Sequence, residues 1–330
     1  MIVLSYICAI VPLLLFLAYL QIMDSFSLAK PKRIIALILA GIACCLLCEG
    51  IYHLTGANGS KLLKSIVEEL IKGSVVLYLV LSRKVGLLGD ATIYGSCVGV
   101  GFGMMENILI LSAGAEANLW HSIFLGFEAA VMHIGCTSTL AMAMIMASQE
   151  RFGKSTKAKS LGYAIAFVAT VLIHFVHLLA PLPPVILTVL LIAYFLYSKA
   201  SLFKKNKAFI HDWVDQCIGN EVELLSSIRK GELSGTEAGK YIISLKESFE
   251  PEVYFDMICY ITEYLELSIA AKSNLILKEA GMKPVIKKEN EARVSEMKAL
   301  HERIGRTARM AIEPIVSIKD VDRWAISALS

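Results

Sequence analysis

Charge is what residues 1–200 of this chain have least of: 13 Lys and Arg and 9 Asp and Glu, against 19 and 20 in residues 201–330. Apolar residues make up 56% of the 330, above the roughly 45–50% of soluble domains. Together these exclude an ordinary soluble enzyme and divide the chain into an apolar part, 1–200, and a charged part, 201–330. The charged part also lacks a basic surplus, with a net charge of −1 against +4 for residues 1–200. It has nothing in excess with which to neutralise phosphates, and nucleic acid is excluded as a partner. No CxxC pair is followed by a second pair. Six of the eight cysteines (Cys8, Cys44, Cys45, Cys48, Cys97 and Cys136) lie in apolar runs, which argues against an extracellular disulfide framework. Neither a basic segment before the apolar Met1–Met23 nor a small-residue cleavage site after it is present, so that stretch reads as a retained span.

Long apolar runs are what the chain does have. A bilayer core needs about 20 apolar residues per helix, and seven stretches qualify: about 1–23, 34–54, 62–82, 86–113, 119–147, 161–181 and a shorter 184–198. Alternate connections carry Lys30, Lys32, Arg33, Arg83, Lys84, Arg151, Lys154, Lys157, Lys159, Lys199, Lys204, Lys205 and Lys207, whereas the opposite ones carry only Lys61 and Lys64. This asymmetry puts the N-terminus outside and the C-terminal part in the cytoplasm. The expected fold is all-α: a polytopic bundle of about seven spans, N-out and C-in, in the plasma membrane of a bacterial-type cell.

Residues 201–330 carry helical patterns of their own. Ile210, Trp213, Val214 and Cys217 form one apolar stripe, and Val294, Met297, Leu300 and Ile304 another. Ser234 with Glu237 resembles a capping box, and Gly281 followed by Pro284 is a stop signal. These features predict a cytosolic α-helical domain that binds a partner or regulates, with no catalytic constellation in it.

Ionisable residues inside spans are informative, because a charge at the bilayer centre costs on the order of 3 kcal/mol even on the lenient insertion scale. The third span holds Glu68, Glu69 and Lys72, the fourth Glu106 and Asn107, the fifth Glu128, His133 and Thr137, and the sixth His174 and His177. At 1.5 Å per residue, Glu106 lies about 11 Å below Ala113 and His174 about 10 Å below Pro181, while Glu68 and Glu69 sit one to two turns past Lys61. They share the outer third of the membrane. His133, about 20 Å deep on a straight helix, joins them only if its span tilts or starts late. Residues three or four apart share a face, so Glu68 is expected to pair with Lys72. Glu69 points about 100° away from Glu68, and Glu128, about 140° around from His133, falls outside the site. Gly95, Gly99 and Gly103 form a small-residue seam that admits a neighbouring backbone. No Ser/His/Asp or HExxH arrangement is available. The residues alone leave three readings open: a hydrolase, a divalent-metal site in a metalloprotease or transporter, and a receptor or scaffold whose polar network fixes packing.

EELIK at 68–72, GFGMMEN at 101–107, HIGCT at 133–137 and His174, in this order on successive spans, resemble the motifs of the PrsW family of intramembrane proteases. That family is distantly related to the CAAX prenyl proteases and bacteriocin-processing enzymes. The resemblance covers about 60–180. It departs from the family where His177 stands in place of the Asn or Asp that often follows the final histidine. CAAX-type enzymes place an Arg one residue beyond Lys72 and a His where Glu106 stands, which disfavours a prenyl-protein substrate. The resemblance implies hydrolysis of a peptide bond in a membrane-anchored regulator, such as an anti-sigma factor, near the extracytoplasmic side. It assigns Glu68 or Glu69 as general base, Glu106 and His133 as holding the water, and His174 as polarising the carbonyl or protonating the leaving amine. Lys72, Asn107, Thr137 and His177 stand as supporting residues. This reading calls for no cofactor and no bound metal.

Overall fold

The computed structural model describes the chain apart from residues 1, 25, 27–28, 56–59, 115–117, 149–154, 180–183, 286–288, 317–319, 328 and 330. Arg151 and Lys154 of the charge pattern, and Pro181 as a depth reference, lie outside the described residues. Two compact units emerge, Met1–Asn206 and Lys207–Ser330. Among the described residues both are helical, with no strand.

The first unit contains α1 (Ile2–Met23), α2 (Pro31–Thr55), α3 (Lys61–Leu81), α4 (Leu88–Ser112), α5 (Leu119–Ala129), α6 (Gly135–Ser148), α7 (Thr156–Leu179) and the first part of α8 (Pro184–Lys230). A π-helical turn, Ala130–Ile134, joins α5 to α6 into one continuous run. Among the described residues, five runs are long and apolar enough to cross a membrane: α1, α2, α4, α5–α6 and α7. The charges of α3 (Lys61, Lys64, Glu68, Glu69 and Lys72) keep it outside that set. Caps fit the sequence: Ser60 Oγ accepts from the Leu63 amide (3.3 Å), and the Asp90 carboxylate from those of Leu87 (2.8 Å) and Gly86 (3.2 Å).

Helix α3 is inverted relative to an amphipathic helix of a soluble domain. On α3 the polar residues Ser65, Glu68, Glu69 and Lys72 are buried, while Leu62, Leu70 and Leu81 are exposed. Leu39, Leu46 and Leu47 of α2 and Leu172 and Val176 of α7 are exposed as well. Apolar side chains on the outside and ionisable ones within are the arrangement that lipid favours.

Helix α4 is the hub, buried almost continuously from Gly89 to Gly103. Its glycines explain how. A Cβ on Gly101 would strike the Ile38 carbonyl of α2, and one on Gly95 would lie 2.6 Å from the Thr137 carbonyl of α6. At Gly99 it would strike the His133 carbonyl in the π turn. The seam therefore seats the backbone that carries His133. Gly99→Ala is expected to cost about 1–3 kcal/mol through overpacking and to shift His133. The thermal midpoint of the purified protein checks this, and an alanine variant that unfolds with the wild type would contradict it.

The second unit holds the remainder of α8, α9 (Glu237–Ser244), α10 (Pro251–Glu279), α11 (Glu289–Arg303), α12 (Gly305–Ile312) and α13 (Asp320–Ser327). Ile210, Trp213 and Val214 are buried as their stripe requires, as are Val294, Leu300 and Ile304. Gly281, at φ 72°, follows the end of α10. The capping box is corrected: Thr236 caps α9, its Oγ1 accepting from the Gly239 amide (2.9 Å), while Ser234 belongs to a preceding 3-10 turn. Lys272, fully buried, donates to Glu221 (2.6 Å) and Ser268 (2.8 Å) and lies 3.5 Å from Asp322 and over the Trp213 ring. Burial pushes the Glu221 carboxyl above the usual carboxylate range, with the Lys272 ammonium opposing it.

Candidate active site

Five elements bring ionisable groups to one place inside the first unit. Helix α3 supplies Lys64, Glu68, Glu69 and Lys72; α2 supplies Tyr52, α4 Glu106, the π turn His133, and α7 His174. Three of the carboxylate and imidazole side chains come from elements that share no sequence neighbourhood with α3. Buried charges persist only when paired and hydrogen-bonded, and here most atoms have a partner.

Glu69 Oε1 accepts from Lys72 Nζ at 2.7 Å and lies 2.8 Å from His174 Nδ1. The expected Glu68–Lys72 pair is thus replaced by a pair one residue closer. Glu68 is held instead toward α2, its Oε1 accepting from the Tyr52 hydroxyl (3.2 Å) with Lys64 Nζ 3.6 Å away. Positions i+3 and i+4 are equivalent by helical geometry alone, and tertiary partners decide between them.

Lys72 Nζ also lies 3.0 Å from His133 Nδ1 and 4.5 Å from the centre of the Phe102 ring. Lysine has donors only, so Nδ1 accepts and the imidazole proton sits on Nε2, which donates to Glu106 Oε2 at 2.6 Å. Glu106 Oε1 accepts from Lys64 Nζ at 3.0 Å. Glu69, acceptor-only, likewise fixes the proton of His174 on Nδ1. The bare Nε2 then faces Glu68 Oε2 across 3.8 Å. The His133 and His174 rings stand edge to face, 5.9 Å between centroids. Two carboxylate oxygens, Glu68 Oε2 and Glu69 Oε2, are buried without a hydrogen-bond partner.

His133 reaches Glu106 through the π turn at Ala130–Ile134. Such a turn holds an extra residue, so straight-helix rotation no longer predicts which way His133 faces. The Thr137 hydroxyl donates to the His133 carbonyl, holding that turn. Asn107 does not reach the cluster: its side-chain amide donates to the Ala9 carbonyl of α1 (2.8 Å). His177 lies 3.3 Å from Glu128, joining α7 to α5, also outside the carboxylate group. Tyr52 and Lys64 were missed by sequence reasoning. Tyr52 carries no signal within an apolar helix, and Lys64 is counted there as a flanking charge of the outer connections.

The set fits a divalent cation. Donor atoms of Glu68, Glu106 and His133, one from each residue, lie within 4.8 Å of one another. Carboxylate and imidazole are both good ligands for zinc. One condition attaches: ligation through His133 Nε2 moves the imidazole proton to Nδ1, so Lys72 must turn wholly to Glu69.

A cluster of carboxylates and imidazoles inside a helical, apolar-surfaced unit is the equipment of a membrane-embedded hydrolase. The family model for the PrsW family intramembrane metalloprotease matches residues 34–200, about half the chain and a range that contains every residue of the cluster. The chain belongs to that family, and it is an intramembrane protease. No curated protein and no solved structure matches it.

Proposed function

We propose that the protein is an intramembrane endopeptidase that cuts a membrane-anchored regulatory protein, such as an anti-sigma factor, near the extracytoplasmic face. The observation that carries this reading is the cluster of buried Glu68, Glu69, His133 and His174 with half-buried Glu106, in which two carboxylate oxygens are unpartnered. Seven spans with the N-terminus outside, in the plasma membrane of a bacterial-type cell, put that cluster in the outer third. Residues 201–330 form the cytosolic module that receives a partner or regulates cutting.

Amide hydrolysis needs an activated water, stabilisation of the oxyanion and a proton for the leaving amine. Glu68 Oε2 and His174 Nε2 face the same gap. Glu68 takes the proton from water as the water oxygen bonds to the scissile carbonyl carbon. The bare His174 Nε2 takes that proton from Glu68 and passes it to the leaving nitrogen as the carbon–nitrogen bond breaks. Glu69 fixes the His174 tautomer, and Lys72 holds Glu69 ionised beside it. Glu68, Glu106 and His133 are the residues that would hold a metal, since their donor atoms lie close together, and the family's description as a metalloprotease supports that reading. A divalent ion there lowers the pKa of water and polarises the carbonyl.

Comparison of the membrane proteomes of a wild-type strain and a Glu69→Gln strain tests the reading in cells. One or more single-span proteins should accumulate uncut in the variant, and identical profiles at equal expression would reject it. A scaffold whose polar network serves packing alone would leave every substrate level unchanged.

A further inference from the structure

Lys64 stands apart from the rest of the cluster in its access to solvent. Its side chain is 34% exposed, against 16% for Glu106, 2% for Glu68 and none for Glu69 and Lys72. Its ammonium nevertheless reaches inward, 3.0 Å from Glu106 Oε1 and 3.6 Å from Glu68 Oε1. Those are two of the three side chains able to hold a divalent ion. The backbone beneath it is tethered, since the Tyr52 hydroxyl lies 3.3 Å from the Lys64 carbonyl. A compact charge on a four-carbon stem can leave such a position without moving the helix.

We propose that the Lys64 ammonium is a tethered rival of the divalent cation: it bridges Glu68 and Glu106 in the metal-free protein and swings to the mouth of the pocket when the ion enters. The inference rests on the metal-holding reading given above. Charge argues for it. Glu68, Glu69 and Glu106 against Lys64 and Lys72 leave one net negative charge, which a divalent ion turns into one net positive charge. With Lys64 removed, the same ion neutralises the pocket. Lys64 therefore sets how tightly the metal is held, as a positioning residue. Once displaced, it leaves a cation at the mouth.

Equilibrium dialysis of the metal-stripped full chain in detergent against zinc tests this, using wild type, Lys64→Met, Lys64→Gln, Glu106→Gln and Lys61→Gln. Lys61 supplies the control, because its Nζ bonds the Leu178 carbonyl rather than a carboxylate. Removing one positive charge next to the ion should tighten zinc binding about tenfold or more in both Lys64 variants. Lys61→Gln should stay within about twofold, since its charge is more distant and screened. Glu106→Gln should lose the site. Lys64 variants that bind zinc no tighter than wild type, with Glu106→Gln still deficient, would overturn the rivalry while leaving the metal site standing. Zinc held equally by Glu106→Gln and wild type, or by neither, would overturn the metal-holding reading and this inference with it. Using both methionine and glutamine separates loss of charge from a packing defect peculiar to one of them.

Discussion

Replacing Lys72 with methionine should destabilise the first unit by about 3–5 kcal/mol, the range for breaking one partner of a buried ion pair. Lys72 is fully buried and its ammonium is 2.7 Å from Glu69, whose own side chain is fully buried too. Without the lysine, Glu69 retains only His174 as a close partner, and an uncompensated carboxylate inside a lipid-facing bundle has no water to turn to. The double variant Lys72→Met/Glu69→Gln should recover most of the loss, because both charges go together. Thermal midpoints of the purified proteins in one detergent check this. A single variant that unfolds with the wild type would contradict the pairing, as would a double variant less stable than the single.

His174→Ala carries a large expected effect on turnover. Its Nε2 is the one imidazole nitrogen facing an unpartnered carboxylate oxygen, Glu68 Oε2, and general acid–base groups contribute about 10²–10⁴ in rate. A fall of about that size in the cleavage rate of a single-span substrate is expected, with KM little changed, since the ring acts on the reacting atoms rather than on the substrate's length. His177→Ala is the control. One turn along the same helix, His177 meets Glu128 instead of the cluster, and its loss should cost far less. Equal losses at the two positions would remove the distinction drawn between them.

The broad organisation was legible in the sequence because it rests on composition and period. Apolar runs of bilayer length, and polar residues sparse enough to stand out within them, gave the helices and the members of the cluster. Glycines every fourth residue on α4 marked the seam on which the π turn packs. What was illegible depends on choices that only neighbouring helices make. Lys72 has Glu68 and Glu69 equally within helical reach, and Tyr52 together with His174 decides the pairing. The facing of His133 could not be taken from a straight helix, because the π turn interrupts it. Asn107 stood among the supporting residues, yet adjacent helical residues point different ways, and its side chain meets α1 instead of the cluster. In the second unit the cap moved from Ser234 to Thr236 because both residues are good caps and the 3-10 turn consumes the first.

The most direct measurement is cleavage of a single-span substrate by the purified protein reconstituted in liposomes, with product termini read by mass spectrometry. Wild type should cut within the outward third of the substrate's span. Glu68→Gln, folded to the same thermal midpoint, should show turnover lower by about 10³-fold or more, in line with loss of an essential base. Undiminished cleavage by Glu68→Gln, or a cut at the cytoplasmic end, would contradict a hydrolytic centre built from these acidic and imidazole side chains.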